Sequence, residues 1–396
     1  MTPRERYVRL FHFQPVDYVP DEEFGWWDET LTAWHKQGLP SEINDNWKGD
    51  FFFGFAQTDW APVNQGLIPG FEHKVISEDE NHVIFIDGSG VTQMANKGGR
   101  ASIPKYIRFP LETRDDWEDF KRRMDPTDPR RIPSNIDEIV ERLKTAENPV
   151  GIGMGSLFGW IRNWMGFENL AMLTIDDPEW VEEMVDYLAD FIIACAEPVL
   201  QKMEKAGVKL DVVSMWEDIC FNNGPMVSPT FFRAVVTPRY KRITDRVRKV
   251  GCDLTYLDCD GDVTQLVGPW LEGGVNIMFP IEIRGGSDPQ QMRDTYGHEV
   301  LLKGGVDKMA LIEGKEAILA DLKRLDPLVR DGGFIPHVDH RVPPDVTYEN
   351  YLYYLREKRA WLGIPEPPPY EERLEELRKR DEIAARNFTR TDTVKT

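Results

Sequence analysis

The chain has 396 residues, 41% of them hydrophobic, and its 48 basic against 68 acidic side chains leave a formal charge of −20. With no basic patch to offset it, that charge argues against a nucleic-acid backbone or an anionic membrane as partner. No stretch approaches the ~18 uninterrupted apolar residues of a membrane span, the opening MTPRERYVRLFHF lacks the apolar core of a signal peptide, and Cys195, Cys220, Cys252 and Cys259 form no CxxC pair, so a reduced, cytoplasmic setting is expected.

In chain order, residues 18–24 and 50–55 read as the first two strands. Residues 82–87 and 91–96, joined by Gly88-Ser89-Gly90, read as a β-hairpin. Residues 122–133 form a charged, proline-rich connector. From about residue 148 onward, apolar runs at 149–154, 210–215, 252–257, 274–279, 299–303 and 333–336 alternate with helical patterns. The longest helix, 179–206, carries Val181, Met184, Val185, Leu188, Ile192, Cys195 and Val199 on one stripe. Shorter ones are predicted over 229–250, 263–271, 288–296, 308–325 and 347–362. Strands alternating with helices imply a parallel sheet. Eight strands imply a single α/β domain, a (β/α)8 TIM barrel over residues 1–362 whose first ~148 residues include the hairpin elaboration. The PEPPP run breaks the chain after Gly363, and 370–386 is a charged helix in a tail over 363–396.

Barrel enzymes place their chemistry where the strands end. The stretch Thr255-Tyr256-Leu257-Asp258-Cys259-Asp260-Gly261-Asp262 ends an apolar run in acids spaced by two, which share a face if the strand continues. At roughly 7 Å, two carboxylates repel by about 2 kcal/mol at an effective dielectric of about 20. Asp-Gly turn chemistry would also produce such a sequence. Other strands end alike, in Trp216-Glu217-Asp218, Pro280-Ile281-Glu282, Val306-Asp307-Lys308 and His337-Val338-Asp339-His340. The expected catalytic set is therefore Glu217, Asp258, Asp260, Glu282, His337 and His340. Trp26, Trp216 and Asp307 are the expected substrate contacts. The chemistry is either general acid and base work or oxygen-rich binding of a divalent metal such as zinc by Asp258, Asp260, Glu282 and His340. Gly151, Gly153 and Gly155 form a GxGxG without the rest of a dinucleotide fingerprint, and read as close approach by a ligand or a neighbouring loop.

The opening MTPRERYVRLFHFQPVDYVP and the ordered set SMWEDICFNNGPMVSP, YLDCDGD, GGVNIMFPIE, LLKGGVDK and GGFIPHVDHRVPPDVTYENY resemble the uroporphyrinogen decarboxylase superfamily over residues 1–362. The resemblance implies one (β/α)8 barrel with a cleft at its C-terminal face. Decarboxylases of that superfamily carry an arginine-containing segment after the first strand that binds substrate carboxylates. Here Glu22-Glu23-Phe24-Gly25-Trp26-Trp27-Asp28 has none. Thiol-directed methyltransferases carry a His-x-Cys-Gly zinc motif and a later cysteine; here Asp258-Cys259-Asp260-Gly261 and Val338-Asp339-His340 stand instead. The chain looks most like the methyl-transferring components of corrinoid-dependent demethylases. That likeness implies methyl transfer between a small methylated substrate and a corrinoid carried by a partner protein; the tryptophan-rich first segment would suit an aromatic, methoxylated donor. The alternatives are a uroporphyrinogen decarboxylase-type carboxy-lyase and a non-catalytic binding barrel.

Overall fold

The computed structural model describes residues 1–97, 104–375 and 378. Its centre is a parallel sheet in the order Asp59–Ala61, Val150–Gly153, Val212–Trp216, Thr255–Asp258, Ile277–Ile281, Leu301–Val306, Phe334–Val338. Chain order equals spatial order, with helices between the strands, as a barrel requires. Residues 18–24, the expected first strand, are irregular and join no ladder. They nevertheless bond to the chain beside both sheet edges: Ala56 N, in the loop before Asp59–Ala61, donates to Asp21 O at 2.7 Å, and Val338 N donates to the Glu23 carboxylate at 3.2 Å. Just beyond, Trp26 makes an isolated parallel bridge to Val342. The eighth place is thus filled by a segment held through single bonds and one side chain.

The second expected strand, 50–55, is instead the end of a helix, Asn46–Phe53. Its aromatic run favours strand, but Asp45 caps the helix by accepting from Lys48 N at 2.8 Å, and Gly54 ends it in the left-handed region at φ 78°. The strand lies just downstream, at Asp59–Ala61.

The long helix spans Pro178–Ala206, with Asp177 as N-cap, Pro178 in its first turn and Gly207 closing it at φ 72°. The whole predicted stripe from Val181 to Val199 is buried. The helix expected over 229–250 contains a π segment, Phe232–Val236, before Thr237–Arg248; Pro238 has no N–H to continue the regular ladder through that point. The helix expected over 308–325 is two, Lys308–Glu313 and Lys315–Asp331, divided by Gly314 at φ 115°. The hairpin belongs to a four-stranded antiparallel sheet, Lys74–Glu78, His82–Ile86, Thr92–Asn96 and Lys105–Arg108. Beyond the barrel, Arg373 donates to Phe51 O and Tyr370 packs edge-on to Phe52 at 5.1 Å. The remainder of the expected tail helix lies outside the described residues. No described helix is long and apolar enough to cross a membrane.

An ionic cluster lies against the irregular segment. Lys358 is fully buried, with its ammonium 2.8 Å from Asp21 and 2.6 Å from Glu23 and donating to Glu22 O at 3.1 Å. Arg359 adds a 2.7 Å contact to Asp21, and Tyr354 donates its hydroxyl to Glu23 at 2.7 Å. Nearby, the half-buried Asp50 has its carboxyl pushed up to about 8 by burial, then by the charges of Glu22, Glu23 and Asp45. An acid whose folded pKa is raised costs stability progressively as pH climbs from its unfolded value to its folded one. Asp50→Asn is therefore expected to leave the melting temperature unchanged near pH 4 and to raise it near pH 8. Equal melting shifts at both pH values would contradict this.

Candidate functional site

Asp258 and Tyr256 share the inner face of Thr255–Asp258, while Thr255 and Leu257 are buried toward the helices. Tyr256 packs edge-on to Phe279 at 5.5 Å, and the Lys303 ammonium lies 5.1 Å from the Tyr256 ring centre. The barrel interior is thus plugged by aromatic and charged side chains. The cleft expected from the sequence would lie above them, at the strand ends.

Glu217 leaves that cleft. Its carboxylate accepts from Leu157 N at 2.9 Å, Ser156 Oγ at 3.2 Å, Gly159 N and the Tyr240 hydroxyl. It sits at the start of the helix Phe158–Met165, where free backbone N–H groups favour an anion. Gly159 is required there, since a Cβ would overlap the Glu217 carbonyl. With every lone pair engaged, Glu217 fastens the loop after Val150–Gly153 to the next strand end. The following residue, Asp218, adopts φ 55°, an uncommon left-handed conformation for a residue other than glycine. Its carboxylate lies 3.5 Å from Arg162. Burial and the neighbouring charge of Asp260 raise its pKa.

The structure brings Asp258, Asp260, Glu282 and His340 together, but their states differ. Asp260 meets His340 Nε2 at 3.1 Å. Burial opposes the imidazolium, yet this hydrogen bond and the Asp260 charge raise the His340 pKa. Glu282 is neutralised: Lys308 Nζ donates to one oxygen at 2.8 Å and Gly261 N to the other at 3.0 Å. Asp339, fully buried beneath, accepts from Ile283 N and Lys308 N, and burial lifts its carboxyl to about 6. Asp258 alone among the four makes no side-chain hydrogen bond or ion pair with the described residues. Burial, then the charges of Asp260 and Asp218, hold its pKa well above the usual carboxylate range, against the lowering pull of Arg341 and His340.

Aromatic rings form the walls. Phe24 packs on Phe279 at 4.8 Å and on His340 at 5.6 Å, and Trp27 lies 5.6 Å from His340. Trp216 is covered by the Arg162 guanidinium at 5.3 Å. Two substrate expectations change. Trp26 is wholly buried among Trp34, Phe53, Phe55 and Tyr351, so it is core, and Trp27 faces the cleft in its place. Asp307 caps the helix Lys308–Glu313 through Met309 N at 2.9 Å and pairs with Arg284 at 2.7 Å, which leaves it a structural task. His337 is fully buried against Phe279, its Nδ1 2.8 Å from Val338 O. Burial, reinforced by the Lys303 charge, pushes its pKa far down, so it is neutral and not an acid.

The expected metal set does not form as drawn. No group of three or more His, Cys, Asp or Glu side chains among the described residues is placed to hold an ion. The Lys308 ammonium already neutralises Glu282, where a cation would have been needed. Sequence reading also missed Arg162 and Arg341, which moderate a mouth that looked purely acidic. Arg162 is the lone cation in the otherwise apolar turn FGWIRNWM, and Arg341 directly follows His340. Of the glycine run, Gly151 and Gly155 make room for Trp60 and Trp160, whereas a Cβ at Gly153 would meet only Ser214 Oγ at 3.9 Å.

No curated protein sequence matches the chain. Among solved structures, a methyltransferase from Methanosarcina mazei is similar over 91% of this chain and 98% of its own, with 16% identity and a TM-score of 0.58, a likeness of fold. A B12-independent methionine synthase from Shewanella sp. W3-18-1, in complex with selenomethionine, covers 64% of this chain and 69% of its own at 14% identity, with a TM-score of 0.39. The model of the family described as uroporphyrinogen decarboxylase matches residues 90–361, from the hairpin through the last barrel helix, and the chain belongs to that family.

Proposed function

We propose that this chain is a methyltransferase that moves the methyl group of a small methoxylated aromatic substrate to a corrinoid carried by a separate protein. The observation that carries the reading is Asp258, a carboxyl whose pKa burial and neighbouring charges raise and which has no hydrogen-bond or ion-pair partner in the described fold, at the C-terminal end of its strand and near His340, on which Phe24 and Trp27 pack. Support also comes from the fold shared with a methyltransferase over nearly the whole chain. The corrinoid would supply the nucleophile that takes the methyl group. As the carbon–oxygen bond breaks, the electron pair stays on oxygen, and Asp258 delivers its proton there, leaving a carboxylate beside His340 and Arg341. Glu217 holds the neighbouring loop in place, and the Asp260 and His340 pair fixes the imidazolium.

The test supplies the protein with cob(I)alamin as surrogate acceptor and methoxylated benzoates as donors, under reducing conditions. Formation of the free phenol, detected by mass spectrometry, is the expected result. No phenol from any donor, with loss of carboxylates from uroporphyrinogen under the same conditions, would replace this reading by a carboxy-lyase.

A further inference from the structure

We infer that Arg341 is the anchor for a single carboxylate on a flat ligand, and so selects aromatic monocarboxylates over neutral aromatics. The inference rests on the methyltransferase reading for the fate of the ligand, but not for its binding.

Inside this protein, arginines are matched. Arg6 meets Asp17 at 2.6 Å, Arg293 pairs with Asp331, and Arg359 meets Asp21 at 2.7 Å. Arg131 donates to the carbonyls of Asn64, Gly66, Arg123 and Asp125. Arg341 is half-buried, yet among the described residues it has neither a hydrogen bond nor an ion pair. Its guanidinium carbon lies 5.7 Å from the ring centre of Phe24 and 5.6 Å from that of Trp27. Those contacts orient the guanidinium without neutralising it. Its charge acts on Asp258, lowering a carboxyl pKa that burial and the charges of Asp260 and Asp218 raise, but no hydrogen bond or ion pair joins the two. Asp260 is bound to His340, and Glu282 to Lys308.

The result is a positive fork with unused donors at the edge of an aromatic cleft. A planar guanidinium matches a planar carboxylate through two parallel N–H to O bonds. The charge balance favours a monoanion over a phosphate: the other arginine of the cleft, Arg162, is already shared between Asp218 and Asn163, and Lys308 is spent on Glu282. Phe24, Trp27 and Phe279 supply the faces on which a ring would lie.

Binding can be read without any methyl transfer, by titration calorimetry of benzoate, 3-methoxybenzoate, 4-methoxybenzoate, benzamide and phenyl phosphate. The wild type is expected to bind at least one carboxylate more tightly than benzamide or phenyl phosphate. Arg341→Met should weaken carboxylate binding by at least about tenfold, as expected for loss of a hydrogen-bonded charge pair, and leave benzamide unchanged. Arg341→Lys, which keeps the charge but not the fork, should fall between, and thermal melts would show that both variants fold. Undiminished carboxylate binding in a folded Arg341→Met protein would overturn the inference, as would tighter binding of phenyl phosphate or no binding of any carboxylate by the wild type. Arginine-dependent carboxylate binding without phenol formation would leave this inference standing and remove the methyltransferase reading; the converse result would do the opposite.

Discussion

Replacing Lys358 by methionine is expected to lower the unfolding free energy by about 3–5 kcal/mol, the usual cost of leaving buried charge without its partner. That is a large share of the ~5–15 kcal/mol that holds a domain folded. The reason is local. Asp21 and Glu23 face the fully buried ammonium from a segment that has no ladder of its own, so Lys358, flanked by Arg359 and Tyr354, is central to tying residues 18–24 to the last barrel helix, Tyr348–Leu362. Burial alone would lower the lysine pKa, but the charges of Asp21 and Glu23 outweigh it and raise it. A raised lysine pKa means that the contribution is complete below the unfolded value and is lost only as pH rises through the folded one. The cluster should therefore hold across neutral pH and weaken in alkali. Adding Asp21→Asn and Glu23→Gln to Lys358→Met removes the orphaned charges and should recover part of the loss. Denaturant melts on the single and triple variants decide the matter; a single variant as stable as wild type would mean that the segment is held by something else.

The elements that sequence reading placed well share a physical property: their pattern is set by burial alone. The six strands from Val150–Gly153 onward are apolar runs ending in polar residues, and the stripe of Pro178–Ala206 from Val181 to Val199 repeats at helical spacing over about five turns. The elements misplaced depended on other signals. In Asn46–Phe53 the aromatic run outweighed the Asp45 and Gly54 caps, which were visible on either side. Residues 18–24 complete the barrel through the Glu23 side chain, which no periodicity encodes. Strand-end polarity pointed to Asp258, Asp260, Glu282 and His340, which lie near one another in the fold. It could not say which carboxylates were already satisfied, because the partners come from far along the chain: Tyr240 for Glu217, Lys308 for Glu282, His340 for Asp260. The exchange of Trp26 for Trp27 is a one-residue phase error in a segment with no regular period to set the phase.

Asp258→Asn is expected to slow the methyl transfer proposed for this site by about 10²–10⁴-fold, the range supplied by a positioned general acid. The amide keeps the shape and the hydrogen-bonding capacity of the acid but cannot release a proton to the leaving oxygen. The pH dependence carries the sharper signature. Because burial and the charges of Asp260 and Asp218 raise the Asp258 pKa, the wild-type rate should be full below that raised value and fall as pH rises through it. The variant should lose that alkaline limb and keep the separate one set by His340, whose pKa is also raised. Stability should move the other way. A carboxyl with a raised folded pKa costs stability as pH rises, so Asp258→Asn should melt at the wild-type temperature near pH 4 and above it near pH 8. Slower turnover combined with a gain in thermal stability marks an acid kept for chemistry at the expense of the fold. An unchanged rate with an unchanged alkaline limb would move the proton donor to His340, whose pKa is raised by its bond to Asp260.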